Sequence, residues 1–372
     1  MAALPSVPRR AAPRQAALPS APGRVRHRSM CITHAYNLGT RLASGVVRFA
    51  LSDTMWECRP MTYRDRLPHL DAQRPFVADG GLETTLIFHR GIELPHFAAF
   101  DLLRTDRGRA ELRAYFEPYV ALARERGVGM VLDTATWRAN PDWAQRLGYS
   151  SDDLEDAGRA AVALAEEIRS ANEDERTPIV VNGVIGPRGD GYDPAELMST
   201  RAAEAYHARQ IATFADTSAD MVTAVTMTHA EEAIGIARAA QRAEMPVAIS
   251  FTVETDGRLP SGQALAEAIE QVDAETDGAP AYFMINCAHP THFADVLEAG
   301  GAWRDRVGGL RANASTKSHA ELDEAEELDE GDPAQLGADH RALHDHLTHV
   351  SVLGGCCGTD HRHVAEVAGA WT

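Results

Sequence analysis

The chain has 372 residues, 44% of them hydrophobic and 24% charged, with a formal net charge of −18, a composition that fits a folded water-soluble protein and not a disordered one. The acidic balance argues against a nucleic-acid partner, since phosphate binding needs a basic face, and no stretch approaches the roughly 18 uninterrupted apolar residues of a membrane span. The length permits one large barrel domain or two smaller domains.

Residues 1–60 stand apart, rich in Ala, Pro and Arg, with no acidic residue before Asp53. Such a leader reads either as an organelle transit peptide or, because nearly every basic residue of the chain is Arg, as an over-extended start in a GC-rich coding sequence. The second reading is preferred, with Met61 as the start of the working chain and a disordered or spurious extension before it.

From Phe76 onward, short apolar or β-branched runs alternate with longer helical patterns. The predicted strands begin near Phe76, Met130, Ile179, Met221, Val247, Tyr282, Val307 and Val350. The predicted helices run Glu111–Arg126, Asp152–Ser170, Ala202–Ala215, His229–Arg242, Gln263–Val272, Thr291–Ala299, Ala334–His346 and His361–Ala370, several with Ser, Thr or Gly at their ends. Eight strands each followed by a helix predict a single α/β domain over residues 61–372, a closed (β/α)8 TIM barrel. The acidic run from His319 to Asp332 reads as a charged outer face, helix or loop.

Five cysteines in a chain of this length do not make a disulfide framework, and in a reducing cytoplasm they stay thiols. In a parallel barrel, reacting side chains project from the carboxyl ends of the strands. Cys287 ends strand six in INC, and Cys356 and Cys357 end strand eight in LGGCCG. Neighbours on a regular strand point to opposite faces, so the vicinal pair shares one target only if the chain bends, which Gly354, Gly355 and Gly358 allow. Three thiolates suit Zn²⁺ and leave its fourth position open for substrate. A thiol held there would lose its proton near neutral pH, giving a nucleophile without a general base. Spacing alone also allows buried cysteines that act as small hydrophobes, or a vicinal redox pair.

The segments VADGGLETTL, VNGVIGPRGDGYDP, INCAHP and LGGCCGTDHRHV resemble the homocysteine S-methyltransferase family, over about Phe76 to the C-terminus. The resemblance implies a (β/α)8 barrel with zinc on Cys287, Cys356 and Cys357. It implies a small-molecule thiol and a methyl donor as partners, with methionine formed from homocysteine. It further implies substrate contacts at Asp79, Gly80, Asn286 and Asn313. An Asp79 carboxylate can pair with an ammonium group, although Asp-Gly-Gly also suits a plain turn.

Two strands depart from the family pattern. Where members that use homocysteine often carry F-E-T on strand four, this chain has Ala224, Val225 and Thr226, so Val225 replaces a carboxylate and makes a different thiol conceivable. Strand seven reads GLRANAST, keeping an asparagine at Asn313 and adding Arg311, which either meets an anionic substrate group or is structural. His289 reads as a supporting or surface residue and not a ligand. The Gly183–Gly191 stretch reads as a loop over the barrel mouth and not a nucleotide site.

The expectation is a zinc-dependent S-methyltransferase that moves a methyl group from a sulfonium or quaternary ammonium donor to a metal-bound thiol by in-line displacement. A zinc hydrolase is the enzymatic alternative, but three thiolates make a poor Lewis acid for water and no base is evident beside them. A non-catalytic zinc- or thiol-sensing barrel is the other alternative, suggested by Val225. Oligomeric state is left open.

Overall fold

The structure is a computed structural model, and it describes residues 62–192 and 197–371. The leader at 1–60, Cys31, Cys58 and the suggested start at Met61 lie outside the described residues.

Eight parallel strands close into a barrel in chain order. They are β1 Phe76–Val77, β2 Met130–Asp133, β3 Ile179–Ile185, β4 Met221–Met227, β5 Val247–Phe251, β6 Tyr282–Asn286, β7 Val307–Ala312 and β8 Val352–Gly355. Closure is made by β1, which pairs with β2 through Val77 and with β8 through Phe76 and Val77. Every strand lies within two residues of its place in the sequence reading. The runs are short, β-branched and nearly all buried, as a sheet covered on both faces demands.

Alternation along the strands stacks the interior in layers. At the amino-terminal end Phe76, Val131, Val180, Met221, Ala248, Met284 and Val352 form an apolar floor, which His69 closes with edge-on contacts to Phe76 and Tyr282. One layer up the interior turns polar. Asn182 donates to Asp133 at 2.7 Å and accepts from Thr223 at 2.9 Å, while Ser250 donates to Asn286 at 2.6 Å. Above that layer the barrel opens into a cavity of about 190 Å³ at the carboxyl ends of the strands.

The outer ring consists of α1 Asp106–Arg126, α2 Ser151–Asn172, α3 Thr200–Ala215, α4 Ala230–Arg242, α5 Leu265–Thr276, α6 Pro290–Glu298, α7 Pro333–Leu343 and α8 His361–Ala370. Ser150, Ser199, Asp332 and Asp360 cap their helices through side-chain oxygens, as such residues do by accepting the unpaired amides of the first turn. Helix α1 starts five residues before the sequence reading. Thr105 caps it by accepting from Gly108 at 3.0 Å, and Gly108 is needed there because a Cβ would lie 2.1 Å from the Leu102 carbonyl oxygen. A residue that weakens a helix by propensity is thus kept for close packing. Among the described residues, no helix is long and apolar enough to cross a membrane.

The acidic segment needs a correction. Only His319–Asp323 is helical, and the segment is not simply a solvated face. His319 is buried, Asp329 accepts from Ser315 at 2.8 Å, and Glu330 pairs with Arg362 at 2.7 Å. The carboxylates fold the segment back onto the barrel mouth.

Candidate active site

Cys287, Cys356 and Cys357 converge at the cavity wall, with their sulfurs all within 4.8 Å of one another and Cys287 and Cys357 3.7 Å apart. All three are free thiols. Among the described residues they are the group of three side chains placed to share a metal ion. The bend that joins the vicinal pair differs from the sequence reading. Of the three glycines, only Gly358 takes a left-handed backbone, φ 77°. Gly354 and Gly355 stay in β8 and serve close approach: a Cβ on Gly354 would lie 2.8 Å from the Asp79 carbonyl oxygen, and one on Gly355 1.9 Å from the Thr359 hydroxyl.

Cys287 itself adopts φ 56°, a conformation that costs a non-glycine residue on the order of 1 kcal/mol or more and persists only when its surroundings impose it. Asn313 donates to its carbonyl at 3.1 Å and lies 3.4 Å from its sulfur through Oδ1. His319 Nε2 meets the same carbonyl at 2.8 Å, and the Cys287 amide donates to Arg311 O at 3.0 Å. Asn313, which the sequence reading places at the substrate, holds the Cys287 backbone and meets its sulfur. His289 is buried, bonds Thr291 as the cap of α6 and faces Asp339 at 3.6 Å; it takes no part in the sulfur cluster.

The protonation states of the sulfurs are coupled. Hydrogen bonds from Cys287 and Cys357 pull Cys356 well below the ordinary thiol value, and Arg311 adds to the effect. Cys287 is pushed well up by its bonds to the other two sulfurs and then by burial. Cys356 is thus the most readily ionised of the three sulfurs.

The tyrosine of the GDGYDP segment completes this wall. Its hydroxyl, on Tyr192, sits 2.9 Å from Cys287 Sγ and 3.4 Å from Cys357 Sγ, and its ring stacks on His319 at 4.2 Å between centroids. The loop carrying it follows β3; Gly183 itself lies within that strand, so only the later part of the Gly183–Gly191 stretch is loop. Gly191 lines the cavity beside Tyr192.

Across the cavity the charge is concentrated on β1, β2 and β7. Arg311 is ion-paired to both Asp79 and Asp133, and it donates through Nε to Gly355 O at 3.2 Å. Burial works against the Arg311 charge, but Asp79 and Asp133 outweigh it and hold its pKa well above the ordinary value. Burial pushes Asp79 up to about 6 against the pull of Arg311. Asp79 also accepts from Tyr115 at 3.0 Å. The carboxylate expected to take a substrate ammonium is thus already matched within the protein. Gly80, also expected at the substrate, lines the cavity, and a Cβ there would lie 2.7 Å from Tyr119 Oη.

Val225 does reach the cavity, as expected for the strand-four position. Behind it the strand bulges between Ala224 and Met227, and Thr226 takes φ 62°. Asn286 stabilises that bulge by accepting from the Thr226 amide at 2.9 Å and donating to its hydroxyl at 2.9 Å. Its nearest link to the sulfurs is 4.0 Å to Cys356. Asn286, which the sequence reading places at the substrate, lines the cavity and also shapes strand four.

Besides Tyr192 and Asp133, the cavity residues Glu83 and Arg138 escaped the sequence reading. Glu83, in the helical turn Leu82–Thr84 after β1, presents a carboxylate that burial pushes up to about 7. Arg138, in the loop after β2, sits over the rings of Trp137 and Trp143, with its guanidinium carbon 4.2 Å and 3.9 Å from the centroids, and pairs with Asp190 at 3.2 Å. Burial lowers its pKa, with Asp190 opposing. Glu83 and Tyr192 both fall within segments that carry the family likeness.

A family model described as homocysteine S-methyltransferase matches residues 76–371. No curated protein matches the chain. Among solved structures, the homocysteine methyltransferase MmuM from Escherichia coli aligns over 81% of this chain and 97% of its own at 19% identity, with a TM-score of 0.64 in its oxidized form and 0.62 in its metallated form. At that identity the likeness carries the fold. The family match covers the barrel from its first strand to its last helix and takes in the sulfur cluster, so the chain belongs to the homocysteine S-methyltransferase family, whose reaction is methyl transfer to a thiol.

Proposed function

We propose that the protein is a zinc-dependent S-methyltransferase that moves a methyl group from a cationic donor to a thiol held at Cys287, Cys356 and Cys357, with homocysteine or a related thiol as acceptor. The observation that carries this reading is the convergence of three free sulfurs at the carboxyl end of the barrel. A tetrahedral zinc with Zn–S bonds of about 2.3 Å sets its sulfurs about 3.8 Å apart, and the 3.7 Å between Cys287 and Cys357 fits that edge. When bound, zinc would lower the pKa of an added thiol so that it enters the reaction as thiolate.

The chain's own residues supply the rest. Asn313 and His319 hold the strained Cys287 in place. Tyr192 keeps its hydroxyl on two of the sulfurs, so an arriving thiol displaces it. Trp137, Phe97 and Phe116 face the cavity, and aromatic faces suit a sulfonium or quaternary ammonium donor. As the thiolate bonds to the methyl carbon, the bond from that carbon to the cationic sulfur or nitrogen breaks and the donor departs neutral with the electron pair, so the protein need only align donor and thiolate and exclude water. Asp79, Gly80, Asn286 and Asn313 enter as residues that shape or support the acceptor site. A free thiol acceptor and free cysteine ligands favour a reducing compartment such as the cytoplasm, and homocysteine as acceptor would make the product methionine.

The hydrolase alternative calls for a carboxylate or imidazole base at the metal; among the described residues the side chains hydrogen-bonded to the sulfurs are Tyr192, Asn313 and Asn286, and the Tyr192 pKa is raised well above its ordinary value, by burial first and the neighbouring thiols next. Incubating zinc-loaded protein with homocysteine and a panel of cationic donors, followed by mass spectrometry, should detect a methylated thiol. Zinc-loaded protein that methylates no thiol from any donor would overturn the proposal.

A further inference from the structure

One imidazole ties together the chain that follows β3, β5, β6 and β7. His319 is 4% exposed and opens the helical turn His319–Asp323. A capping box fixes the start of that turn: Ser318 accepts from the Glu321 amide at 3.3 Å, and Glu321 accepts from the Ser318 amide at 2.9 Å, so the backbone that carries the ring is set. His319 Nε2 lies 2.8 Å from Cys287 O; a carbonyl can only accept, so that nitrogen carries the proton. Its Nδ1 faces Glu254 Oε1 at 3.0 Å, in the loop after β5. Its flat side stacks on the Tyr192 ring, with 4.2 Å between centroids and 15° between planes.

The edge and the face of this ring touch different parts of the site. The edge reaches the backbone of Cys287, whose φ of 56° needs support from outside. The face backs the ring whose hydroxyl lies on Cys287 and Cys357. Tyr192 belongs to no helix or strand, and its amide is bonded two residues back, to Asp190 Oδ1 at 3.0 Å, so its ring needs a wall to stand against. We propose that His319, oriented by Glu254, is a positioning residue with two separable jobs. Its edge holds Cys287 in the conformation that meets the metal, and its face holds the Tyr192 hydroxyl on the sulfurs. One side chain thereby sets both the affinity for metal and the ease with which a thiol displaces Tyr192. The proposal rests on the methyl-transfer reading for the metal and the thiol.

Substitutions in the full chain separate the two jobs. His319→Phe keeps a flat ring for Tyr192 and loses the bond to Cys287. Chelator competition should show its zinc affinity lower by about 10- to 100-fold, as for other groups that orient a ligand, with thiol entry unchanged. His319→Gln keeps a donor for the carbonyl and loses the ring, so zinc affinity should stay close to wild type while thiol entry becomes easier by roughly 2- to 10-fold, the worth of one ring stack. Glu254→Ala leaves the imidazole free to turn and should weaken zinc binding in the direction of His319→Phe by a smaller factor. Thiol entry is read on cobalt-loaded protein titrated with 2-mercaptoethanol, from the growth of sulfur-to-cobalt charge-transfer absorption; a thiol this small needs no recognition elsewhere in the cavity. Wild-type zinc affinity in His319→Phe, or metal and thiol affinities that move together in the Phe and Gln variants, overturns the assignment. Unchanged thiol affinity in His319→Gln also overturns it, and decides alone if the Phe variant does not fold. A thiol-methylation assay on wild type keeps the two readings apart. Methylation with no split between the variants removes the His319 assignment alone, whereas a split without methylation removes the reaction and leaves the assignment.

Discussion

The two walls of the cavity are assembled on different plans. On the β6 and β8 side, chemistry sits in residues adjacent in sequence or at strand ends, Cys287 in one motif and Cys356 with Cys357 in another, and the structural work lies in backbone conformation: φ 56° at Cys287 and φ 77° at Gly358. On the β1, β2 and β7 side no strand residue takes a left-handed backbone and the chemistry lies in side-chain pairs. Arg311 reaches Asp133 and Asp79 across 178 and 232 positions of chain. The first wall is specified by local sequence and the second by register alone, so they should respond differently to substitution.

Replacing Arg311 with Met should be the most damaging change to the charged wall. It leaves two buried carboxylates facing one another without a cation, a loss of about 3–5 kcal/mol by analogy with broken buried ion pairs, measurable by urea unfolding. A variant as stable as wild type would show that the pair is solvated and that the contrast between the walls is drawn too sharply. Asn313→Ala tests the other wall. It removes the bond to the Cys287 carbonyl and should cost about 1–3 kcal/mol, and it should weaken metal binding by about 10- to 100-fold, as loss of a group that orients a ligand does. Chelator competition reads the second effect; lost stability with unchanged metal affinity would mean that Cys287 needs no such support.

Glu83 sharpens the comparison through pH. Its pKa stands near 7 in the folded protein against an ordinary 4.5. Below pH 4.5 both states hold the proton and nothing is lost. Between 4.5 and 7 the unfolded chain gives up its proton while the folded protein keeps it, so stability declines as pH rises and is lowest above 7. Glu83→Gln should remove that decline and be more stable than wild type at pH 8 by roughly 1–3 kcal/mol, seen in thermal melts across the range. Parallel pH profiles for the two proteins would mean that the carboxylate is solvated. The smallest effect is expected from Tyr192→Phe, which removes a hydroxyl from a partly solvated cluster and should change stability by less than about 1.5 kcal/mol while tightening thiol binding, since no hydroxyl has to be displaced. Weaker thiol binding in the Phe variant would show that the hydroxyl aids the thiol instead.

Much of the fold was legible because a parallel barrel repeats one signal eight times: a short buried run, then a capped amphipathic helix. The sulfur cluster was legible because strand ends are where a barrel places its chemistry and because vicinal cysteines between glycines are rare without a reason. The glycines themselves were misread, since conformational freedom and close approach leave the same letter in the sequence, and only Gly358 uses the freedom. The hydrogen bonds of Asn286 and Asn313 to Thr226 and Cys287 had no counterpart in the sequence reading, which places both at the substrate. A strained backbone gives no sign in sequence, so neither did the residues that hold it. The charged wall was hidden for a third reason: Asp133 ends its strand just as the cysteines do, but nothing local says that it meets Arg311.

The central claim is that three sulfurs hold zinc and that zinc makes the thiol reactive. The direct measurement takes wild type and Cys357→Ala from the same preparation and determines zinc per chain alongside methylated thiol formed. Wild type should carry one zinc per chain and methylate thiol, and the variant should lose both together while keeping its fold by circular dichroism. Methylation at the wild-type rate by a zinc-free variant would contradict the account.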